Sequence, residues 1–353
     1  MSTPATKPVI TSSDSKSEKV KVRVGTRKSA LALAQADFVV SSLQKLHPDV
    51  GFEIVGMSST ADKDKITALY NFGGKGLWTN ELEAGLVAKE LEIIVHSLKD
   101  MPTSLPEGCV LACVPEREDP RDVVVVKKSL QDKYKTLSDL PEGSVVGTSA
   151  LRRMAQIRRR YPKLKFQDMR GNIDTRLKKL DAEDGAFTAM ILGAAGLSRM
   201  GWLDRVSQYL DSKTKEGGML HAVGQGGLGI EARADDHQTL ELLKAFEDKE
   251  VMMAVEAERS VMRTLEGGCS IPIGVETKWV GKNKLQLTAT VVSIDGTEAA
   301  DGELEEEITT KEQAVEFGKK VAQVLVDNGA QKILDAINTE KEAHPSTEKW
   351  VPA

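Results

Sequence analysis

Cysteine is scarce in this chain of 353 residues: Cys109, Cys113 and Cys269 are the only three. So few thiols, odd in number, exclude a disulfide framework and point to a reducing compartment with free thiols. Long apolar runs are also missing. The longest, Ala186 to Leu197, contains its own Gly and Thr and falls short of the roughly 18 to 20 residues that a membrane-spanning helix needs. There is no surplus of positive charge either. With 48 Lys plus Arg against 53 Asp plus Glu the formal net charge is -5, which argues against a general binder of nucleic acid or anionic membranes. An anion site, if present, must be local. The five histidines, His47, His96, His221, His237 and His344, are dispersed, and Cys109 and Cys113 have no matching second pair, so no metal site is expected. A Gly-x-Ser-x-Gly nucleophile elbow is absent as well.

The two ends carry little that could form a core. Residues 1–19 are rich in Ser, Thr, Pro and Lys, contain Asp14 and Glu18 but no Arg, and lack an apolar stretch. A disordered tail is expected there, and neither a secretory signal nor a mitochondrial presequence. Residues 339–353 are expected to be similarly loose.

At roughly 150 residues per domain the length suggests two or three domains. Val20, Val22 and Val24 alternate with Lys21 and Arg23 as in a half-buried strand, and Gly25-Thr26 punctuates the run. A helix follows from about Ser29 to Leu46, with Leu31, Ala34, Phe38, Val39, Leu43 and Leu46 as its apolar face and His47-Pro48 as its stop. Further strands are expected at Phe52–Met57, Leu91–His96, Cys109–Val114, Asp122–Lys127, Ser144–Gly147, Lys165–Met169 and Phe187–Leu192. Several are continuous apolar runs, as strands covered on both faces are. Helical patterns fall between them, so the class is α/β with mostly parallel sheets. The segment beginning Val24-Gly25-Thr26 is echoed by the one beginning Val146-Gly147-Thr148, each a strand, a Gly-Thr turn and a helix. The echo suggests two similarly built α/β domains. Beyond about Glu250 a helix (Val251–Leu265), a Gly-Gly-Cys loop, strands such as Leu285–Ser293 and helices near Lys311–Asp327 and Ala330–Ile337 suggest a smaller α+β domain. The acidic run Asp301–Glu307 is expected to be a solvated edge or loop.

The turn Gly25 to Ser29 places Arg27, Lys28 and two hydroxyls at a helix N-terminus, where unpaired N–H groups already favour anions. Thr148, Ser149, Arg152 and Arg153 repeat the arrangement. Arg170 to Arg176 adds a third copy, and Arg199 follows another strand. Arginines at successive strand ends converge where open α/β sheets bind ligands. Each fork can hold a carboxylate or phosphate in two parallel hydrogen bonds, so the ligand should be a polyanion. Arg158, Arg159, Arg160, Lys163 and Lys165 could suggest nucleic acid. Ala150, Met154, Ile157 and Tyr161 form an apolar stripe beside them, and an amphipathic helix with a basic solvated face is the better account. Gly224-Gln225-Gly226-Gly227-Leu228-Gly229 matches a dinucleotide fingerprint literally, but a strand follows it, so a tight backbone crossing is expected instead. The Gly-rich region Ser58 to Gly76 could form a mobile loop over a cleft. His96-Ser97-Leu98-Lys99-Asp100 puts an acid and a cation at a strand end, and Cys269 sits in a flexible Gly turn where a thiol could do covalent chemistry.

Taken in order, these motifs resemble the porphobilinogen deaminase (hydroxymethylbilane synthase) family from about Val22 to Gly296. They are GTR-S-LA-AQ, GGKGL-ELE, HSLKDMPT at 96–103, GTS-LRR at 147–153, RGN-TRL at 170–177, AAGL-RM at 194–200, AVGQG-LG at 222–229 and LEGGCS at 265–270. The resemblance implies a cytoplasmic, monomeric transferase of haem biosynthesis, with no nucleic-acid or membrane partner. It would condense four porphobilinogen molecules head to tail with loss of ammonia to give hydroxymethylbilane, and would carry a dipyrromethane cofactor joined to Cys269 by a thioether. Carried over by motif, Asp100 is the catalytic carboxylate. Arg27, Ser29, Arg152, Arg153, Arg170, Arg176 and Arg199 bind substrate and cofactor carboxylates, with Lys99, Thr148, Ser149 and Gln225 close by. Lys75 and Trp78 belong to the mobile loop.

The implied fold is two type II periplasmic-binding-protein-like α/β domains around a cleft plus a smaller C-terminal α+β domain. The implied boundaries are 20–117 with 226–243, then 118–222, then 249–338 with the cofactor cysteine. The sequence departs from the family pattern at Ala150, where many relatives have Ser, at Asp174, an acid between two arginines, and at Asn71, Trp78 and Asn80 in and beside the Gly-rich loop. Rival readings are a solute-binding module, which would need the arginines but neither Asp100 nor Cys269, and a nucleic-acid binder using residues 152–165.

Overall fold

A computed structural model of the chain describes residues 21–57, 79–214, 218–265 and 271–343. The expected N-terminal tail, the whole Gly-rich region from Ser58 to Gly76 with Lys75, then Trp78, Cys269, and the chain from 344 onward lie outside the described residues.

The chain opens with β1 (Lys21–Arg27), α1 (Ala30–Leu46) and β2 (Gly51–Met57). Ser29 caps α1, its Oγ accepting the Ala32 N–H at 3.3 Å, a contact typically worth about 1 kcal/mol. The buried face of α1 is Gln35, Ala36, Val39 and Leu43. Phe38 and Leu46, expected in that face, are instead 51% and 46% exposed, because Phe38 lies about 100° around the helix from Val39 and Leu46 is the last residue of the helix; Phe38 rests near the Phe246 ring. Next come α2 (Asn80–Val87), β3 (Ile93–Ser97) and β4 (Cys109–Cys113). The second unit contains β5 (Asp122–Val126), β6 (Val145–Gly147), α3 (Leu151–Arg160), β7 (Lys165–Gln167), α4 (Ile173–Asp181), β8 (Phe187–Gly193), α5 (Ala194–Arg199) and β9 (Gln208–Leu210). The chain then returns as β10 (Leu228–Arg233) and α6 (His237–Lys244).

Two of the three sheets formed among the described residues share one plan, β2-β1-β3-β10-β4 and β7-β6-β8-β5-β9. The duplicated strand, Gly-Thr turn and helix seen in the sequence is thus β1–α1 in one sheet and β6–α3 in the other. Pairing is parallel through β2-β1-β3 and β7-β6-β8. The strand that enters each sheet from the other unit is reversed: β10 runs antiparallel to β3 and β4, and β5 to β8 and β9. These are two α/β domains of the periplasmic-binding-protein type II class, built on one strand order.

The two connecting segments meet where 117–120 lies against Gln225 and Gly226. Gly226 has φ +87°, and a Cβ there would meet the Glu118 carbonyl oxygen at 2.3 Å. The Gly-rich run is therefore the backbone crossing expected of it, since only glycine fits a left-handed residue pressed on another backbone.

The third unit is α7 (Lys249–Thr264), the antiparallel sheet β11 (Ile273–Gly281), β12 (Lys284–Val292) and β13 (Ala299–Glu307), then α8 (Lys311–Asp327) and α9 (Ala330–Ala343). Its core contains Leu285, Leu287, Val291, Phe317, Val321 and Leu325. The acidic run is the edge strand β13, with Glu303, Glu305 and Glu307 exposed on alternate positions, a charged edge that discourages pairing with other chains. The final helix continues past the expected stop at Ile337 to Ala343. No described helix is long and apolar enough to cross a membrane.

Candidate active site

The site is assembled from turns at the C-terminal ends of strands in both large sheets. After β3, a single tight turn, Leu98–Asp100, carries Lys99 and Asp100. Leu98 is buried, and its N–H donates to the Gly227 carbonyl at 3.0 Å, so the turn is fixed against the returning segment. After β6, Gly147 lets the Met169 side chain pass, since a Cβ there would lie 2.5 Å from the Met169 Cε. Thr148 Oγ1 accepts the Ala150 N–H at 3.2 Å, and the Ser149 hydroxyl donates to the Met169 carbonyl at 2.6 Å. Ala150 and Asn172, the residues before α3 and α4, make no side-chain cap. Those helix starts keep the electropositive N–H groups that a carboxylate can accept from. Arg27 ends β1, half-buried, next to the capping Ser29.

The sequence could not show that Asp122 claims two of the arginines. Arg152 Nη1 lies 2.7 Å from Asp122 Oδ2 and donates to the Leu220 carbonyl at 2.6 Å. Arg153 Nε and Nη2 reach Asp122 Oδ1 at 2.9 and 2.8 Å. Gln225 Nε2 completes the cluster, donating to Asp122 Oδ1 at 2.9 Å and to the Pro120 carbonyl at 2.7 Å. Burial opposes the charge on Asp122, but the two guanidinium groups outweigh it and hold the carboxyl well below the usual range. Arg199 Nη2 donates to the Gly226 carbonyl at 2.7 Å. Arg152, Arg153, Arg199 and Gln225 therefore all meet at the two crossing segments.

Arg170 and Arg176 lie further along the same rim. Arg170 Nε is 2.8 Å from Asp168, and Arg176 Nε donates to the Gly171 carbonyl at 2.7 Å. Burial lowers the Arg176 pKa to about 10; Arg153 and Arg170 act in the same direction, while Asp168 and Asp100 oppose. Burial likewise lowers Lys99, with Arg153 and Arg152 acting in the same direction and Asp100 and Asp122 opposing. Lys99 and Asp100 from the first sheet thus lie within electrostatic range of Arg153 and other arginines of the second. Partly desolvated cations that also repel one another are stabilised by further negative charge. The donor set fits a ligand with several carboxylates, as a dipyrromethane bearing acetate and propionate groups is.

Two other expectations can be followed onto the structure. The basic side of α3 is not simply solvated: Arg159 pairs with Asp301 of β13 at 2.9 Å, and Arg158 donates to the Ile294 carbonyl while lying over the Phe166 ring. Those cations dock the third unit. Asp174 is exposed in a shallow depression with Leu177 and Trp202. Sequence reading also missed Arg117 and Glu258, a buried pair at 2.7 Å that links a crossing segment to α7, and the 3.0 Å hydrogen bond from Ser97 to Gln35. Among the described residues no group of three or more His, Cys, Asp or Glu side chains is arranged to hold a metal.

Comparison with known proteins covers nearly the whole chain. A family model described as "Porphobilinogen deaminase, dipyromethane cofactor binding domain" matches residues 22–272, and one described as "Porphobilinogen deaminase, C-terminal domain" matches 252–327. A Neurospora crassa protein named porphobilinogen deaminase is 57% identical over 323 residues, 91% of this chain and 95% of its own. Proteins of the same name from Yarrowia lipolytica and Saccharomyces cerevisiae are 50% and 45% identical, over 93% and 91% of this chain and 96% and 98% of theirs.

Proposed function

Because the chain belongs to the porphobilinogen deaminase family, we propose that the turn bearing Asp100 and the facing arginines form the working site of that reaction. The reaction is the head-to-tail condensation of four porphobilinogen molecules, each losing ammonia, to give hydroxymethylbilane for tetrapyrrole biosynthesis. It is a transferase reaction, because each step moves a pyrrolylmethyl unit from an amine to a pyrrole carbon.

What supports the assignment is the placement of Asp100, a half-buried carboxylate on the turn that ends β3, close enough to Lys99, Arg153 and Arg176 to favour their charged forms. As the bond from the substrate methylene to its amine breaks, the nitrogen leaves with the bonding electrons and positive charge spreads over the pyrrole. Asp100 stabilises that charge and accepts a hydrogen bond from the pyrrole N–H. Electrons from the free α-carbon of the acceptor pyrrole form the new C–C bond, and that carbon then loses its proton. Arg27, Arg152, Arg153, Arg170, Arg176 and Arg199 bind the acetate and propionate groups, helped by Lys99, Ser29, Thr148, Ser149, Gln225 and the uncapped N–H groups of α3. Asp122 holds Arg152 and Arg153 in position before ligand arrives, which reduces the ordering cost of binding.

The dipyrromethane supplies a pyrrole carbon from which the chain grows. Its attachment point is Cys269 through a thioether, an assignment supported by the family motif alone. The enzyme acts in the cytoplasm as a monomer, without nucleic-acid or membrane partners. Its net charge of -5 and the docking of Arg158 and Arg159 within the fold support that reading.

Intact mass and turnover test the proposal together. The purified chain is expected at its sequence mass plus one dipyrromethane, Cys269→Ser at the bare mass, and Asp100→Asn loaded but slowed by about 10²- to 10⁴-fold. A wild-type chain at bare mass, or a loaded Asp100→Asn variant with normal turnover, would overturn it.

A further inference from the structure

Behind the Asp100 turn lies a buried polar cluster for which the proposed chemistry has no use. Glu231 of β10 is fully buried, and its Oε2 lies 2.9 Å from His96 Nε2 of β3. Its Oε1 has no hydrogen-bond partner among the described residues. Glu83 of α2 is buried on the same side of the sheet, and burial raises its carboxyl, with Thr79 opposing and Glu231 raising it further. The other titratable or charged groups around Glu231 are the Cys109 thiol of β4, Arg233 of its own strand and Arg259 of α7.

Such a pair is a poor source of stability. Well-packed apolar side chains of the same volume are often neutral or better, because taking polar groups out of water offsets most of what their contact gains. Its place in the fold is more informative. His96 and Ser97 are the last two residues of β3, and neighbouring strand side chains point to opposite faces. His96 is held on one face by Glu231, and Ser97 on the other by Gln35 at 3.0 Å. The next residue, Leu98, donates its N–H to Gly227, and its side chain packs so closely that a Cβ on Gly224 or Gly229 would come within 2.9 and 2.8 Å of it. Lys99 and Asp100 follow directly.

We propose that Glu231 and His96 are positioning residues for the Asp100 carboxylate, fixing the rotation of the end of β3 from which the Leu98–Asp100 turn departs. Neither touches substrate. The inference rests on the reading of Asp100 as the catalytic group. A displacement of the reacting group by about 1 Å can cost on the order of a hundredfold in rate, and loosening one of three anchors is expected to cost about tenfold.

The test compares Glu231→Gln and His96→Gln as cofactor-loaded holoenzymes, with rates divided by the holoenzyme concentration found by intact mass. The expected result is kcat lowered about tenfold with KM within about twofold of wild type, and a double variant no slower than the worse single one. A kcat within twofold of wild type in either folded variant overturns the proposal, as does a KM that rises in step with the loss of kcat. If Glu231→Gln does not fold, His96→Gln, which keeps the carboxylate, decides by the same criterion. Asp100→Asn run alongside separates the two ideas: normal turnover there removes the catalytic assignment itself, whereas a slow Asp100→Asn beside a fully active Glu231→Gln removes only the positioning role.

Discussion

Replacing Glu258 with glutamine removes the charge that joins the third unit to both crossing segments. In the native protein this carboxylate accepts from Arg117 Nη1 at 2.7 Å and Nη2 at 3.1 Å, from the Thr277 hydroxyl at 2.6 Å and from the Gly224 N–H at 2.8 Å. Its side chain is fully buried and that of Arg117 is 10% exposed. Burial opposes ionisation, but Arg117, His221 and the hydrogen bonds from Arg117 and Thr277 bring the carboxyl from its ordinary 4.5 down to about 2. At about 1.36 kcal/mol per pH unit, the difference corresponds to roughly 3 kcal/mol of stability at neutral pH. A pKa lowered by folding gives stability that is complete above the unfolded value and lost as pH falls towards the folded one, so the window runs from about pH 5 down to about pH 2.

Urea unfolding of wild type and Glu258→Gln, followed by tryptophan fluorescence, should show a difference of about 3 kcal/mol at pH 7 that shrinks to between 1 and 2, roughly, at pH 3. The variant keeps an amide oxygen for Thr277 or Gly224 but turns donors towards Arg117, leaving that cation buried without its counter-charge. A difference below about 1 kcal/mol at pH 7, or one that does not shrink in acid, would refute the reasoning.

Gly226→Ala places a methyl group 2.3 Å from the Glu118 carbonyl at a residue with φ +87°; left-handed strain and overpacking together should cost about 2 to 5 kcal/mol, measurable by chemical denaturation, and a neutral result would mean that the crossing segments are not in contact. Cys109 and Cys113 are pushed by burial to about 11 and about 12. At pH 7.5 each thiol is on the order of 0.1% thiolate or less, so peptide mapping after iodoacetamide treatment should find both unmodified long after free glutathione has reacted; rapid labelling of Cys113 would contradict its burial.

Much of the architecture was legible because it depends on local pattern. The alternation of Val22 and Val24, the Ser29 cap and the Gly-Thr turns at 25–26 and 147–148 each act within a few residues, and they located the duplicated strand-turn-helix units. The alternating exposure of β13 was legible as a solvated edge for the same reason. Pairings across long separations were not. Asp122 opens an apolar run and gives no local sign that Arg152 and Arg153 will claim it. Arg117 and Glu258 belong to different units, and their ion pair exists only once three segments meet. The basic residues at the end of α3 were legible as an exposed face, but nothing near Arg159 in sequence announces Asp301. The arginines proposed to bind carboxylates do stand at strand ends, but sequence could not tell which forks already hold a partner in the protein.

The way the chain crosses between its two large sheets has a consequence for the order in which they can form on the ribosome. The strands of the second sheet occupy one uninterrupted stretch, Asp122 to Leu210, and can pair as soon as that stretch has emerged. The first sheet cannot be completed then, because β10 is the strand that separates β3 from β4, and it ends at Arg233. The N-terminal residues, made first, must wait with an open gap beside β3 while the second unit folds. Leu98, whose N–H bonds to Gly227, waits with them. The turn carrying Asp100 is therefore among the last parts of the two large units to take shape, and a nascent chain stopped short of Arg233 would hold a finished second unit beside an unfinished first one.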